Sequence, residues 1–167
     1  MGGVHQGVRC VLGIRGKGSR GGLALEKGRL PLYVIGVKRV LPTRKDCPNI
    51  LVIDDEEILL DLISEILEDH GYGVTALMSS PDALAVFSDR PAEFDLVVTD
   101  EKMPDLSGTD LARQILAIRP DIPIILYTDY PEVSSEKRAR AAGVRAILRK
   151  SSRTAELALC VRRILGS

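Results

Sequence analysis

The feature that most constrains the fold is a regular pattern that begins near Pro48, where apolar runs of strand length alternate with segments of helical period. Strands that alternate with helices at short intervals form parallel sheets, and their crossovers are right-handed. The sequence therefore predicts an α/β fold, a doubly wound five-stranded parallel sheet with helices on both faces. The predicted strands are residues 50–53, 74–77, 96–99, 122–128 and 146–149.

Helix start and stop signals support this alternation. Residues 58–67 place Ile and Leu at i, i+4 spacing, and Gly71 ends that helix. Ser80 is read as the cap of the second helix with Pro81 at its first position, and Ser107 as the cap of the third. Further helices are predicted over residues 132–142 and 154–165.

Charge divides the chain at about the same place as the periodicity. Residues 1–46 contain ten Lys and Arg against two acidic residues, a net charge of +8, whereas the rest of the chain carries −8. We therefore divide the chain into a basic, glycine-rich N-terminal arm (residues 1–47), expected to be flexible, and an acidic domain (residues 48–167). Beyond Tyr33, the arm has no interleaved aromatic residues, and it has no recognition-helix pattern, so nucleic acid is not a favoured partner.

Cysteine usage and hydropathy limit the location of the protein. Cys10, Cys47 and Cys160 are odd in number and lack metal-ligand spacing, so neither a disulfide framework nor a zinc site is predicted. No apolar run approaches the roughly 20 residues that span a membrane, and no secretory leader pattern is present. We expect a soluble cytoplasmic protein without a membrane partner.

Polar side chains follow the predicted strands at their carboxyl ends, where the functional crevice of a doubly wound sheet lies. Carboxylates that converge there repel each other by about 4 kcal/mol per pair at 4 Å and an effective dielectric near 20. Mg²⁺, a hard cation with oxygen ligands, is expected to compensate them, and a lysine ammonium can bind an anion. These residues are Asp54, Asp55, Glu56, Asp100, Thr128, Asp129 and Lys150.

The strand ends carry, in order, an Asp-Asp pair (54–55), a D-x-x-M-P motif (100–104) with Gly108 after it, Thr128 and Lys150. Together these motifs resemble the receiver domain of two-component response regulators, over residues 48–167. The resemblance implies a flavodoxin-like sheet of strand order 2-1-3-4-5. It also implies a stand-alone receiver, or the terminal receiver of a hybrid sensor histidine kinase, with no output enzyme domain.

The resemblance implies a role for each site residue. Asp100 is the phosphoacceptor, and its donor is a histidine kinase or a histidine phosphotransfer protein. Thr128 donates its hydroxyl to a phosphoryl oxygen, and Lys150 pairs with the acyl phosphate. Output is a protein contact through the fourth helix, fifth strand and fifth helix, and a homodimer is compatible with it. The implied Mg²⁺ ligands are Asp54, Asp55, Asp100 and the backbone carbonyl of Lys102.

Three residues depart from the family pattern and keep other functions open. Ile147 stands where the family usually has an aromatic residue, Ser151 where it has proline, and Asp129 where it has a small residue. One alternative is therefore a phosphorylation-independent interaction module with the receiver fold. The other is a nucleic-acid-binding regulator that uses the basic arm. Taken singly, each motif also has a purely structural interpretation, as a helix cap, a turn residue or a solvated charge.

Overall fold

The structure is a computed structural model that describes residues 37–40, 47–129, 133–150 and 154–166. Most of the predicted arm lies outside these residues, so its expected flexibility stays a prediction. Ser151 also lies outside them. The elements are β1 (Val37–Val40), β2 (Asn49–Ile53), α1 (Glu57–Asp69), β3 (Gly73–Leu77), α2 (Ser80–Asp89), β4 (Leu96–Thr99), α3 (Gly108–Ile118), β5 (Ile124–Thr128), α4 (Val133–Ala141), β6 (Ala146–Arg149) and α5 (Thr154–Leu165).

One sheet contains all of these strands, in the order β1-β3-β2-β4-β5-β6. From β3 to β6 along this order, each strand pairs in parallel with its neighbour. If these five parallel strands are numbered 1 to 5 along the chain, their order in the sheet is 2-1-3-4-5. The predicted doubly wound five-stranded parallel sheet is therefore confirmed. The strand order reverses between β2 and β4, so the functional crevice is expected at the carboxyl ends of these two strands.

The sheet also has a sixth strand, in a stretch that the sequence analysis assigned to the arm. β1 pairs antiparallel with β3, from Val37 opposite Leu77 to Val40 opposite Thr75. An edge strand presents a row of unpaired backbone N–H and C=O groups, and β1 supplies partners for those of β3. The five parallel strands stand as predicted, and β1 adds a sixth, antiparallel strand to their sheet. The domain boundary near Pro48 stays a prediction.

The parallel strands consist mostly of apolar residues because helices cover both faces of the sheet. Ile50 and Val52 point into a core layer beneath α1 and α5, whereas Leu51 and Ile53 point into the layer beneath α2, α3 and α4. Each fully buried side chain of this kind contributes about 1.5–3 kcal/mol. Within the described parts of the chain, no helix is both long and apolar enough to cross a membrane.

Two of the predicted helix ends are found where the sequence placed them. Ser107 is the N-cap of α3, and its hydroxyl accepts a hydrogen bond from the Asp110 N–H at 3.1 Å. Gly71 follows α1 with φ of +88°, a left-handed conformation that glycine adopts without strain. These signals fix where the two helices start and stop relative to the strands that they cover.

The cap of α2 differs from the prediction by one residue. Ser79, not Ser80, is the N-cap, and its hydroxyl accepts from the Asp82 N–H at 3.3 Å. The buried Ser80 hydroxyl instead donates to the Pro104 carbonyl at 3.1 Å and accepts from the Leu106 N–H at 3.3 Å. Ser80 therefore ties the start of α2 to the loop that joins β4 to α3.

Candidate functional site

Asp100 stands immediately after β4, at the carboxyl edge of the sheet. Its backbone N–H donates to the Ile53 carbonyl at 2.9 Å, which extends the pairing of β2 with β4 beyond Thr99. The side chain is only 5% exposed, and its Oδ2 accepts from the Lys102 N–H at 3.0 Å. The carboxylate is therefore held by the strand on one side and by its own loop on the other.

Lys150 connects the ends of the central strands. Its backbone N–H donates to the Thr128 carbonyl at 2.9 Å, and its side chain crosses the edge of the sheet with 5% exposure. The Nζ atom lies 2.9 Å from Asp54 Oδ2, 3.4 Å from Asp100 Oδ1 and 3.4 Å from Glu56 Oε1. One buried ammonium is thus shared by two buried carboxylates and one exposed carboxylate.

Burial dominates the electrostatics of this cluster. Desolvation raises the pKa of both Asp54 and Asp100, and it outweighs their hydrogen bonds and their attraction to Lys150. Burial alone would lower the pKa of Lys150, but the hydrogen bond and charge of Asp54, with the charges of Asp100 and Glu56, raise it instead. The buried part of the cluster retains an excess of negative charge, which favours the binding of a further cation.

The two buried carboxylates fit the requirements of Mg²⁺, which is usually held by one or two carboxylates together with waters and phosphate oxygens. Asp55, the third predicted carboxylate, is half-buried and has no hydrogen bond or ion pair with the described residues. Among those residues, no three His, Cys or acidic side chains are assembled to hold a metal ion. The structure thus brings Asp54 and Asp100 together, and the Mg²⁺ roles of Asp54, Asp55, Asp100 and the Lys102 carbonyl all stay predictions.

Thr128 ends β5, the strand beside β4. Because Thr99 pairs with Leu126, Thr128 reaches beyond Asp100 at the same edge of the sheet. It is buried, and its hydroxyl has no hydrogen-bond partner within the described part of the chain, so it can donate to a bound anion. Asp129, which follows, is exposed.

Two glutamates have contacts that the sequence reasoning did not assign. Glu56, placed by the sequence among the polar residues at the strand ends, makes no side-chain cap bond to α1, and its carboxylate reaches Lys150. Glu101 is buried, and its Oε2 accepts from the Thr109 N–H at 2.9 Å and from the Thr109 hydroxyl at 2.8 Å. The only sequence signal for Glu101 was its position directly after Asp100.

Gly108 is required by close packing against the phosphoacceptor candidate. A Cβ atom at this position would overlap the Asp100 carbonyl oxygen and would lie 2.8 Å from Leu126 Cδ1. The Gly108 N–H donates to the Glu101 carbonyl at 3.1 Å. The first turn of α3 is therefore packed directly on the main chain of Asp100 and Glu101.

Ile147 occupies the position on β6 where an aromatic residue was expected from the family pattern. It pairs with Leu126 of β5 and packs, half-buried, against the core layer beneath α2, α3 and α4. An aliphatic side chain held in this way has no ring to exchange between a buried and an exposed position. Its effect on switching stays a prediction.

With this geometry in place, comparison with known proteins decides the family. A family model described as the response regulator receiver domain matches residues 50–162, from the second residue of β2 through β6 and into α5. The chain belongs to the response regulator receiver domain family. Receiver domains in general interact with histidine kinases and phosphotransfer proteins.

Individual relatives agree with that assignment. The sensory transduction protein RegX3 of Mycobacterium bovis is 33% identical over 119 residues, 61% of this chain and 51% of that protein. The C4-dicarboxylate transport transcriptional regulatory protein DctD of Rhizobium meliloti is 37% identical over 87 residues, 52% of this chain and 18% of that protein. The chain therefore spans about half the length, or less, of these curated relatives.

Solved structures agree as well. The crystal structure of a response regulator receiver domain protein from Clostridium thermocellum is 34% identical, with a TM-score of 0.68. The similarity covers 71% of this chain and 94% of that chain. The receiver fold thus accounts for the periodic part of this sequence.

Proposed function

We propose that this receiver domain accepts a phosphoryl group on Asp100 from a histidine kinase or a histidine phosphotransfer protein, in a Mg²⁺-dependent reaction in the cytoplasm. The observation that carries the proposal is the buried cluster of Asp54, Asp100 and Lys150 at the switch point of the sheet. Titratable groups whose pKa values are shifted by burial and by charged neighbours are typical of functional sites. Receiver domains generally bind Mg²⁺ at the acidic phosphorylation site, which this cluster matches in chemistry.

The proposed transfer forms one bond and breaks one. A carboxylate oxygen of Asp100 attacks the phosphorus atom of a phosphohistidine, and the phosphorus–nitrogen bond breaks. The imidazole nitrogen keeps the bonding electron pair. The other ring nitrogen of the phosphohistidine carries a proton, so the donor leaves as neutral histidine, and Asp100 becomes an acyl phosphate. Positioning and charge neutralisation carry most of the catalysis in a transfer of this kind.

The neighbouring side chains would bind and orient the transferring group. The Thr128 hydroxyl would donate to one phosphoryl oxygen. The Lys150 ammonium, which in this structure lies between the carboxylates of Asp54 and Asp100, would pair with the acyl phosphate. Asp54, Asp55, Asp100 and the Lys102 carbonyl would hold Mg²⁺. The bound cation would neutralise charge on the phosphoryl oxygens.

The output of this domain is proposed to be a protein contact, and the only reactions it catalyses are its own phosphorylation and dephosphorylation. Thr128 and Lys150 lie at the ends of β5 and β6. Their movement toward a phosphoryl group would therefore shift the neighbouring surface formed by α4, β6 and α5. Arg138, Arg140 and Arg149 are exposed in these elements. Their charge would favour a partner with an acidic surface.

The experiment is intact-mass analysis after incubation with acetyl phosphate, with and without Mg²⁺. We expect the wild-type chain to gain one phosphoryl group only when Mg²⁺ is present, and Asp100→Asn to gain none. Asp105→Asn is the matched control, because Asp105 is an exposed carboxylate on the same loop, and it should be labelled like wild type. A wild-type chain that takes no label from excess donor or from a panel of kinases would favour the phosphorylation-independent module.

A further inference from the structure

Glu101 has its carboxylate buried between the phosphoacceptor loop and α3, where the proposed transfer gives it no role. Its side-chain Oε2 accepts from both the N–H and the hydroxyl of Thr109, at 2.9 Å and 2.8 Å. Its backbone carbonyl accepts from the Gly108 N–H at 3.1 Å. One residue thus binds the first two N–H groups of α3, where a negative charge is also favoured by the helix dipole.

The next N–H of α3 is bound differently. The Asp110 N–H donates to the hydroxyl of Ser107, the N-cap, at 3.1 Å. Both Ser107 and Glu101 therefore cap the same helix, but only Glu101 is bonded covalently to Asp100. The molecule contains a matched pair of caps, one next to the proposed reacting residue and one seven residues away from it in sequence.

The Glu101 contacts reach the proposed site through the main chain. Glu101 lies between Asp100 and Lys102, and the Lys102 N–H donates to Asp100 Oδ2 at 3.0 Å. Gly108 packs so closely on the Asp100 carbonyl that no side chain fits between them. Any shift of Glu101 relative to α3 would therefore turn the Asp100 carboxylate and move the Lys102 carbonyl, both of which the proposed transfer uses.

We propose that Glu101 is a positioning residue for phosphoryl transfer: with Thr109 it clamps the phosphoacceptor loop to α3 and so sets the direction of the Asp100 carboxylate. A charge-assisted pair of hydrogen bonds gives the clamp both strength and direction. This inference rests on the proposed function, because it assigns Glu101 a part in that same reaction. A misplacement of 1 Å can slow an enzyme reaction by about 100-fold, so a loosened clamp should have a measurable effect on rate.

The test measures the rate of labelling by acetyl phosphate at saturating donor and Mg²⁺, well below the melting temperature of every variant. Glu101→Ala and Thr109→Val should slow labelling by about tenfold or more. Thr109→Ser keeps the hydroxyl and should label within about twofold of wild type. Ser107→Ala removes the other cap, so it should lower the melting temperature by about as much as Thr109→Val without slowing labelling.

Each outcome separates positioning from simple helix capping. If Ser107→Ala slows labelling as much as Glu101→Ala and Thr109→Val do, or if those two variants label at the wild-type rate, Glu101 is only a cap and the inference is wrong. If Glu101→Ala does not fold, Thr109→Val, the smaller change, decides the question alone. A wild-type chain that takes no label overturns the proposed function and this inference together, whereas a labelled wild type with fast variants overturns this inference only.

Discussion

Replacing Asp100 with Asn should stabilise this receiver domain at neutral pH in the absence of Mg²⁺. Burial holds the pKa of Asp100 above its ordinary value of 3.8, so ionisation is less favourable in the folded state than in the unfolded state. Asn has nearly the same shape and can still accept from the Lys102 N–H, but it carries no charge. Lys150 keeps its ion pair with Asp54 at 2.9 Å.

The pH dependence follows from the direction of that shift. Below about pH 3.8 the carboxyl group is protonated in both states, and the substitution should have little effect. As the pH rises, the unfolded chain releases this proton before the folded chain does. The free-energy cost of ionising Asp100 in the folded state therefore lowers wild-type stability increasingly until the pH passes the folded-state pKa, and it is constant above that pH. We expect Asp100→Asn to unfold at a higher urea concentration and at a higher temperature than wild type at pH 7.5, because Asn has no charge for burial to penalise.

The assay is urea and thermal unfolding, followed by circular dichroism from pH 4.5 to pH 8, with Asp105→Asn as the exposed control. Added Mg²⁺ should stabilise wild type more than Asp100→Asn, because a ligand stabilises only the state that binds it, and the gap between the two should narrow. An Asp100→Asn protein that is less stable than wild type at pH 7.5, or an advantage that shrinks as the pH rises, would refute the reasoning.

Two further substitutions test the packing and the charge balance of the site. Gly108→Ala should lower the free energy of unfolding by about 1–3 kcal/mol, since its Cβ would overlap the Asp100 carbonyl oxygen; unchanged urea unfolding would show that α3 can move away freely. Lys150→Met leaves Asp54 and Asp100 without their shared cation, so it should lose about 3 kcal/mol or more at pH 7.5 and recover as both carboxylates are protonated toward pH 4. A loss that is the same at every pH would mean that Lys150 acts through packing alone.

The parallel sheet could be predicted because its determinants are local and periodic. Continuous apolar runs such as residues 50–53 and 96–99 are typical of strands buried on both faces, and Ser107 and Gly71 marked helix ends through short-range hydrogen bonding and backbone conformation. The strand order came from the family resemblance, which periodicity alone does not provide.

Contacts between residues distant in sequence could not be predicted in the same way. Ser80 reads as a helix cap from its neighbours, and only the approach of Pro104 and Leu106 from another loop shows what its hydroxyl binds. From the sequence alone, Glu101 cannot be distinguished from a solvated charged residue. Only the fold, which packs Thr109 of α3 against it, shows what its carboxylate binds. The place of β1 in the sheet was not predicted, because its partners are the edge groups of β3, which lies more than thirty residues later in the chain.

The most direct test of the central claim is to locate the acyl phosphate. Borohydride reduces an aspartyl phosphate to homoserine, so a chain labelled by acetyl phosphate and then reduced carries a permanent mark that peptide mass spectrometry can place. We predict homoserine at position 100, formed only when Mg²⁺ is present. Homoserine at Asp54 or Asp55, or a labelled chain with Asp100 unchanged, would contradict the assignment of Asp100 as the phosphoacceptor.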